Sequence, residues 1–339
     1  MRPGGAPLRR RRFAALAWTV SLAVIALSAS CSRAVEPPPP ASPPAHGGSP
    51  PGDLSSRYPG DVGIEADPDV VFVEGFEEES LEALARRWTD VRDPSVLSFA
   101  ADVPSGSTGL RSLAISWTGG QNSGGHLYKE LRPGIRDTLY VRYYIKYPAR
   151  GRYRHAGVWM GGFNPPSSWP RPEAGEKPSG DDRFIAGAEQ NDRTAGFEHY
   201  DYWMDMRRAV DGRYWGNFLL NDPGVKAVPE RWTCVEHMVK LNQPVTSASG
   251  EHAIWLDGVK VSHLGPGFPK GTWRGGVFTQ AATGQPFEGF RWRRDEGLDL
   301  NWIWLQNYSP DDPAGFSGSV AFDHVVVARS HIGCLDRPR

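Results

Sequence analysis

The run Phe197-Glu198-His199-Tyr200-Asp201-Tyr202-Trp203-Met204-Asp205-Met206 gathers phenol, imidazole and carboxylate groups into one short stretch. These groups exchange protons, so acid–base chemistry is sought here first. Read with the two-residue period of a strand, the run divides into a His199/Asp201/Trp203/Asp205 face and a Tyr200/Tyr202/Met204/Met206 face. Polarity alone assigns the first face to a cleft and the second to a core. A second run, Thr138–Tyr147, alternates in the same way. It sets Tyr140, Arg142, Tyr144 and Lys146 against Val141, Tyr143, Ile145 and Tyr147. A row of cations and phenols on an open sheet face suits a carboxylated sugar, because the Arg fork matches a carboxylate. A solvated outer strand face is the plainer reading of that row.

Both runs need sheets to hold them, and the rest of the chain supplies the strands. Between Trp232 and Val261, two alternating segments flank a polar turn, and Asp257-Gly258 then reverses the chain, a strong antiparallel signal. Val235, His237, Val239 and Leu241, with Ile254 and Leu256, can point into a core. Glu236, Met238, Lys240 and Trp255 face the other way. Further strands are expected at Val70–Phe76, Ser112–Trp117, His155–Met160, Phe184–Glu189, Tyr214–Leu220, Gly276–Thr279, Leu300–Leu305 and Val320–Ala328, the first and last pairing with each other. Helical character is confined to Glu77–Trp88. Short strands separated by Gly/Pro turns specify an all-β antiparallel sandwich. Thirteen Trp residues are many for 339. Most serve as core filler, and the remainder offer flat surfaces on which sugar rings stack, with Trp159, Trp203, Trp215, Trp255, Trp292 and Trp304 in strand-like contexts.

The ends read differently. Arg9–Arg12 form a basic region, Phe13–Leu27 an apolar one, and Ser28-Ala29-Ser30 a small-residue cleavage site, the pattern of a bacterial export signal over residues 1–30. Leu27-Ser28-Ala29-Ser30-Cys31 resembles a lipobox, so lipidation at Cys31 is expected. Residues 31–68 are rich in Pro, Gly, Ser and Ala and read as an extended tether, leaving one folded domain over 69–335. The expected location is the exterior of the cell, anchored to the envelope by lipid or else periplasmic or extracellular. Net charge is −1, and removing the five Arg of the signal takes it to −6. That excludes nucleic acid as a partner and confines attraction to acidic polymers to a local cluster. Cys234 and Cys334 could pair in an oxidising compartment. No Cys/His metal spacing stands out. No cofactor is expected, although a structural Ca²⁺ is compatible with such sandwiches. The expected state is a monomer.

The Tyr200-x-Tyr202 strand, the V-K-L-N-Q-P…G-E-H-A-I-W-L-D-G hairpin and the closing V-A-F-D-H-V-V-V-A strand, in that order, resemble the alginate and glucuronan lyases of polysaccharide lyase families 14 and 20. The resemblance spans about residues 69–335. It implies a concanavalin A-like jelly roll that cleaves a uronate polymer by β-elimination. In the family 14 pattern a Lys in a K-x-P-G-L segment precedes the Tyr pair. Here Arg154-His155-Ala156-Gly157-Val158 offers His155 instead. The family's Ser-x-Arg strand falls near Phe184–Glu189, where Arg183 is the nearest cation. Elimination needs the uronate carboxylate neutralised, a base for the C5 proton and an acid for the leaving O4. The resemblance casts Tyr200 or Tyr202 as the catalytic Tyr, its pKa lowered by nearby positive charge, and His155 or His199 as its neighbour. Arg183, Arg142 and Gln190 are candidates to grip the carboxylate, with Lys146 beside them. Two other classes stay open: a non-catalytic carbohydrate-binding module on the same scaffold, and a glycoside hydrolase using Glu189, Glu198 or Asp201. The E-x-D-x-E pattern of laminarinase-like sandwich hydrolases is absent.

Overall fold

In the strand Thr138–Lys146, Leu139, Val141, Tyr143 and Ile145 are fully buried, as period-2 alternation requires of a strand facing a second sheet. The same pattern recurs along the chain in the computed structural model, which describes residues 52–335 apart from 192 and 195. The expected signal and Cys31 lie outside the described residues.

Strands are numbered β1 to β18 in chain order. The first sheet contains β1 (Val70–Glu74), β3 (Leu97–Ala100), β4 (Ser112–Thr118), β6 (Thr138–Lys146), β11 (Trp232–Lys240), β12 (Glu251–Leu256), β13 (Val259–Leu264) and β18 (Ser317–Ala328). Its order is β13-β12-β11-β6-β18-β4-β3, with β1 also on β18, so the opening and closing strands of the domain pair. The second sheet contains β2 (Asp90–Arg92), β5 (His126–Ile135), β7 (His155–Phe163), β8 (Arg183–Asn191), β9 (Gly196–Asp201), β10 (Asn217–Phe218), β14 (Lys270–Arg274), β15 (Val277–Gln280), β16 (Gln285–Pro286) and β17 (Leu300–Tyr308). Its order is β16-β14-β15-β10-β9-β8-β7-β17-β5-β2. The β12–β13 hairpin turns on Asp257 and Gly258, whose φ values of 49° and 79° both lie in the left-handed region. This is the primed turn that an Asp-Gly pair favours.

The two sheets pack face to face as a jelly-roll sandwich. Their core draws Val141, Tyr143 and Ile145 from β6, Val158 and Met160 from β7, Ala186 and Ala188 from β8, and Ile303 and Leu305 from β17. Two phenols of the first sheet reach across it. The Tyr143 hydroxyl donates to the Ala188 carbonyl at 2.7 Å, and the Tyr147 hydroxyl to that of Ala156 at 2.7 Å. Each buried hydroxyl thereby keeps a partner while its ring fills the core.

Three expectations change. The folded unit begins near Asp53 rather than Asp69. Leu54 and Ile64 are fully buried against Val326, Ala328 and Ile332, and Leu54 and Ser55 donate backbone N–H groups to His331 and Ile332. Two apolar anchors in a Pro/Gly-rich stretch suffice to dock it. The helix expected over Glu77–Trp88 shrinks to Leu81–Ala85, because Ser80 caps it by accepting from Ala83 N–H at 3.2 Å. The outer face of β6 is covered rather than open. Arg142 is fully buried there, bonded through Nη2 to both oxygens of Asp61 at 2.6 and 2.7 Å, and Lys146 pairs with Asp102. Neither cation reaches the site described below. Cys234 of β11 forms a disulfide with Cys334, fastening the C-terminal segment over the same face.

Candidate active site

Four adjacent strands of the second sheet, β9, β8, β7 and β17, turn one face away from the core. His155 and Trp159 project there from β7, Glu189 and Asn191 from β8, Tyr200 from β9, and Trp304, Gln306 and Tyr308 from β17. Register places them side by side, since His155 is opposite Tyr308 and Glu189 is opposite both Gly157 and Glu198. All of these projecting residues except Glu189, together with Tyr202, Phe218, Arg154, Arg193, His126 and Trp215, enclose a cavity of about 420 Å³. Glycines make the packing possible. A Cβ at Gly216 would lie 2.6 Å from the Tyr200 ring, and one at Gly187 would lie 2.7 Å from Trp159 Nε1.

Beneath the cavity the Glu189 carboxylate is fully buried, accepting from Trp159 Nε1 at 2.8 Å and lying 2.9 Å from His155 Nδ1. Asn191 Nδ2 adds a longer contact at 3.4 Å. A carboxylate can only accept, so the His155 proton sits on Nδ1. Nε2, on the other side of the ring, is left with its lone pair. The His155 ring lies 4.7 Å from that of Tyr200 and 4.9 Å from that of Trp159. The hydroxyls of Tyr200 and Tyr202 are 3.4 Å apart.

Burial holds the Tyr200 phenol well above its usual pKa, reinforced by the neighbouring Tyr202. Tyr202 is raised as well, again by burial. The expectation of a Tyr acidified by surrounding cations is therefore reversed, and these phenols keep their protons. They are suited to donate.

Three donors around the cavity have no partner: Trp304 Nε1, Gln306 Nε2 and Asn307 Nδ2. An unsatisfied buried N–H costs about 1–3 kcal/mol, and because all three atoms are buried, a ligand oxygen relieves it only where the side chain turns toward the cavity. Arg193 is exposed at the rim, and Arg154 lines the wall while paired with Asp311. Among the described residues that line the cavity none is Asp or Glu. The lining is rich in donors, with Arg193 at its rim and the Asp311-paired Arg154 as its arginines.

Sequence reasoning placed some candidates here and others elsewhere. Tyr200, Tyr202 and His155 share the cavity. His199 lies on the opposite face of β9, fully buried between the sheets with Asp201, so the assignment of faces by polarity is inverted. Arg183 is buried at the far end of β8, bonded to Asp182 and the Glu176 carbonyl. Gln190 points to the core side and accepts from Ala227 N–H at 2.9 Å. Of the Trp residues, Trp159, Trp215 and Trp304 reach the cavity, whereas Trp203 and Trp292 are core. A paired-carboxylate hydrolase loses its groups. Glu198 is consumed by the backbone N–H groups of Leu219, Leu220 and Asn221, and Asp201 faces the interior. Gln306, Asn307, Arg154 and Arg193 were not anticipated. Gln306 and Asn307 gain their place from β17 running beside β7, whereas Arg154 precedes β7 and Arg193 lies between β8 and β9.

No family model and no curated relative matches the chain. Solved structures do. The PL-14 alginate lyase from Aplysia kurodai superposes with a TM-score of 0.53 at 13% identity, over 77% of this chain and 99% of that one. The chain shares a jelly-roll fold with that enzyme. A double mutant of the alginate lyase Aly36B, in complex with alginate trisaccharide, matches with a TM-score of 0.50 at 13% identity, over 77% of this chain and 95% of that one.

Proposed function

We propose that this chain is a polysaccharide lyase that cleaves a uronate-containing glycan by β-elimination, working outside the cell on an alginate- or glucuronan-like polymer. The observation that carries the reading is one cavity holding a Glu189-oriented His155, two protonated phenols and orphaned N–H donors, with no acidic residue in its described lining. No carboxylate in that described lining faces an anionic polymer.

In this reading the uronate carboxylate takes the donors of Gln306 and Asn307, with Arg193 supplying charge. Negative charge that spreads onto the carboxylate as the C5–H bond breaks is stabilised by donors already in place. His155 Nε2 accepts the C5 proton. The electron pair forms the C4–C5 double bond as the C4–O4 bond breaks, and the Tyr200 hydroxyl protonates the departing O4. The Glu189 carboxylate holds the imidazolium that results. Tyr202 sits within reach of the Tyr200 oxygen and steadies it during the transfer.

The experiment is ultraviolet absorbance of the unsaturated uronate product, with the purified protein offered alginate, glucuronan, hyaluronan, heparin and pectate. A rise on one polymer, abolished in Tyr200→Phe, supports the lyase. No rise on any polymer, together with retained binding, would instead make the protein a carbohydrate-binding module. Export and lipidation at Cys31 belong to the same proposal and are tested by mass spectrometry of the envelope-derived protein.

A further inference from the structure

A second constellation lies between the sheets, on the face of β9 opposite Tyr200. His199 and Asp201 of the second sheet converge there on His252 of the first, and all three are fully buried. His252 Nδ1 lies 2.9 Å from Asp201 Oδ2 and 3.0 Å from His199 Nδ1. The outward nitrogens are held separately. His199 Nε2 is 2.8 Å from Ser262 Oγ, itself 2.7 Å from Gln280 Nε2, and His252 Nε2 is 3.3 Å from His237 Nδ1. The constellation therefore has an inner set of three donor atoms and an outer ring of groups that orient them.

Hydrogen bonding alone does not satisfy the inner set. A ring nitrogen has one in-plane orbital, carrying either a proton or a lone pair. His252 Nδ1 faces two neighbours and can serve one of them along that direction. If its proton goes to Asp201, the His199 Nδ1 lone pair is left pointing at an atom already engaged. If His199 donates instead, Asp201 Oδ2 faces a nitrogen with no proton to offer. A cation at the point of convergence accepts all three lone pairs at once. Tetrahedral metal–ligand bonds of about 2.0–2.1 Å put neighbouring donors roughly 3.3 Å apart, and here His252 Nδ1 lies 2.9 and 3.0 Å from the other two, with all three atoms within 4.8 Å of one another.

We propose that His199, Asp201 and His252 bind a divalent ion of the zinc class, tying the two sheets together behind the catalytic cavity. Two imidazoles and one carboxylate suit such an ion, whereas Ca²⁺ takes a shell of six to eight oxygens. The ion would be structural. Its ligands His199 and Asp201 flank Tyr200 in sequence, so it would also fix the strand that presents the phenol.

The test is metal analysis of the intact protein after gel filtration through chelator, together with the visible spectrum of protein refolded with Co²⁺. The expected result is one ion per chain and the ligand-field bands of a Co²⁺ site. Asp201→Asn and His252→Gln should lose the ion, and His263→Gln, on the neighbouring strand, should keep it. Substoichiometric metal in the wild type with no Co²⁺ bands would overturn the proposal and leave a proton-sharing triad. Neither wild-type measurement depends on a variant folding or on the polymer the cavity accepts.

Discussion

Replacing Glu189 by Gln tests the acid–base assignment directly. The change keeps the shape of the side chain and the acceptor for Trp159 Nε1, now 2.8 Å away. Toward His155 Nδ1, at 2.9 Å, it presents an N–H where a carboxylate stood. The imidazole answers by moving its proton to Nε2, so the lone pair faces the new amide rather than the substrate. The imidazolium formed during the reaction also loses its counter-charge. Because Glu189 is fully buried, solvent does little to screen that loss. Neutralising the orienting carboxylate of a Ser-His-Asp triad costs about 10⁴-fold in kcat by the same change of tautomer. Here kcat should fall about 10³- to 10⁴-fold, or roughly 4–5.5 kcal/mol of barrier. KM should barely move, since Glu189 lies beneath the lining rather than in it. Steady-state kinetics on the responsive polymer, beside a thermal melt, measure both. A correctly folded variant with kcat within about threefold of wild type would refute His155 as the base.

Three further outcomes are expected. Gln306→Leu removes an unpartnered buried donor, so it should cost about 10²- to 10³-fold in kcat while leaving the ligand-free protein as stable or more so, as calorimetry would show. Asp323 is pushed up to about 8 by burial, and its Oδ2 has no partner. The native state therefore holds a proton that the unfolded chain releases near pH 4. This contribution is complete below about pH 4 and is lost as pH rises toward 8, so the urea midpoint of Asp323→Asn should fall less between pH 5 and 8 than that of wild type. Replacing Cys234 and Cys334 together by Ser opens a loop with a sequence separation of 100 and should cost about 4–5 kcal/mol on the chain-entropy account, readable from denaturant midpoints.

The sandwich was legible because burial on one face writes a period of two into each strand. Val141, Tyr143 and Ile145 announced β6, and Asp257-Gly258 announced the β12–β13 hairpin. The site was legible only in part. The Tyr200-x-Tyr202 spacing is local and survived. The choice between the faces of β9 did not, because the interior carries a polar cluster that polarity rules assign to a cleft. Arg142 and Lys146 read as an open cationic row because nothing local shows that Asp61 folds back onto that face from a segment resembling a tether. Glu189 reads as a possible nucleophile until Trp159 and His155 are seen to share it. Gln306 and Asn307 gain meaning only from β7 running beside β17.

The earliest described residues pack on the outer face of the first sheet, where Leu54 bonds to His331 and Asp61 to Arg142, whereas the cavity opens from the outer face of the second. The chain thus enters the domain from behind. Under the proposed function, a polymer reaching the cavity meets the side of the domain opposite the one on which residues 54–61 pack.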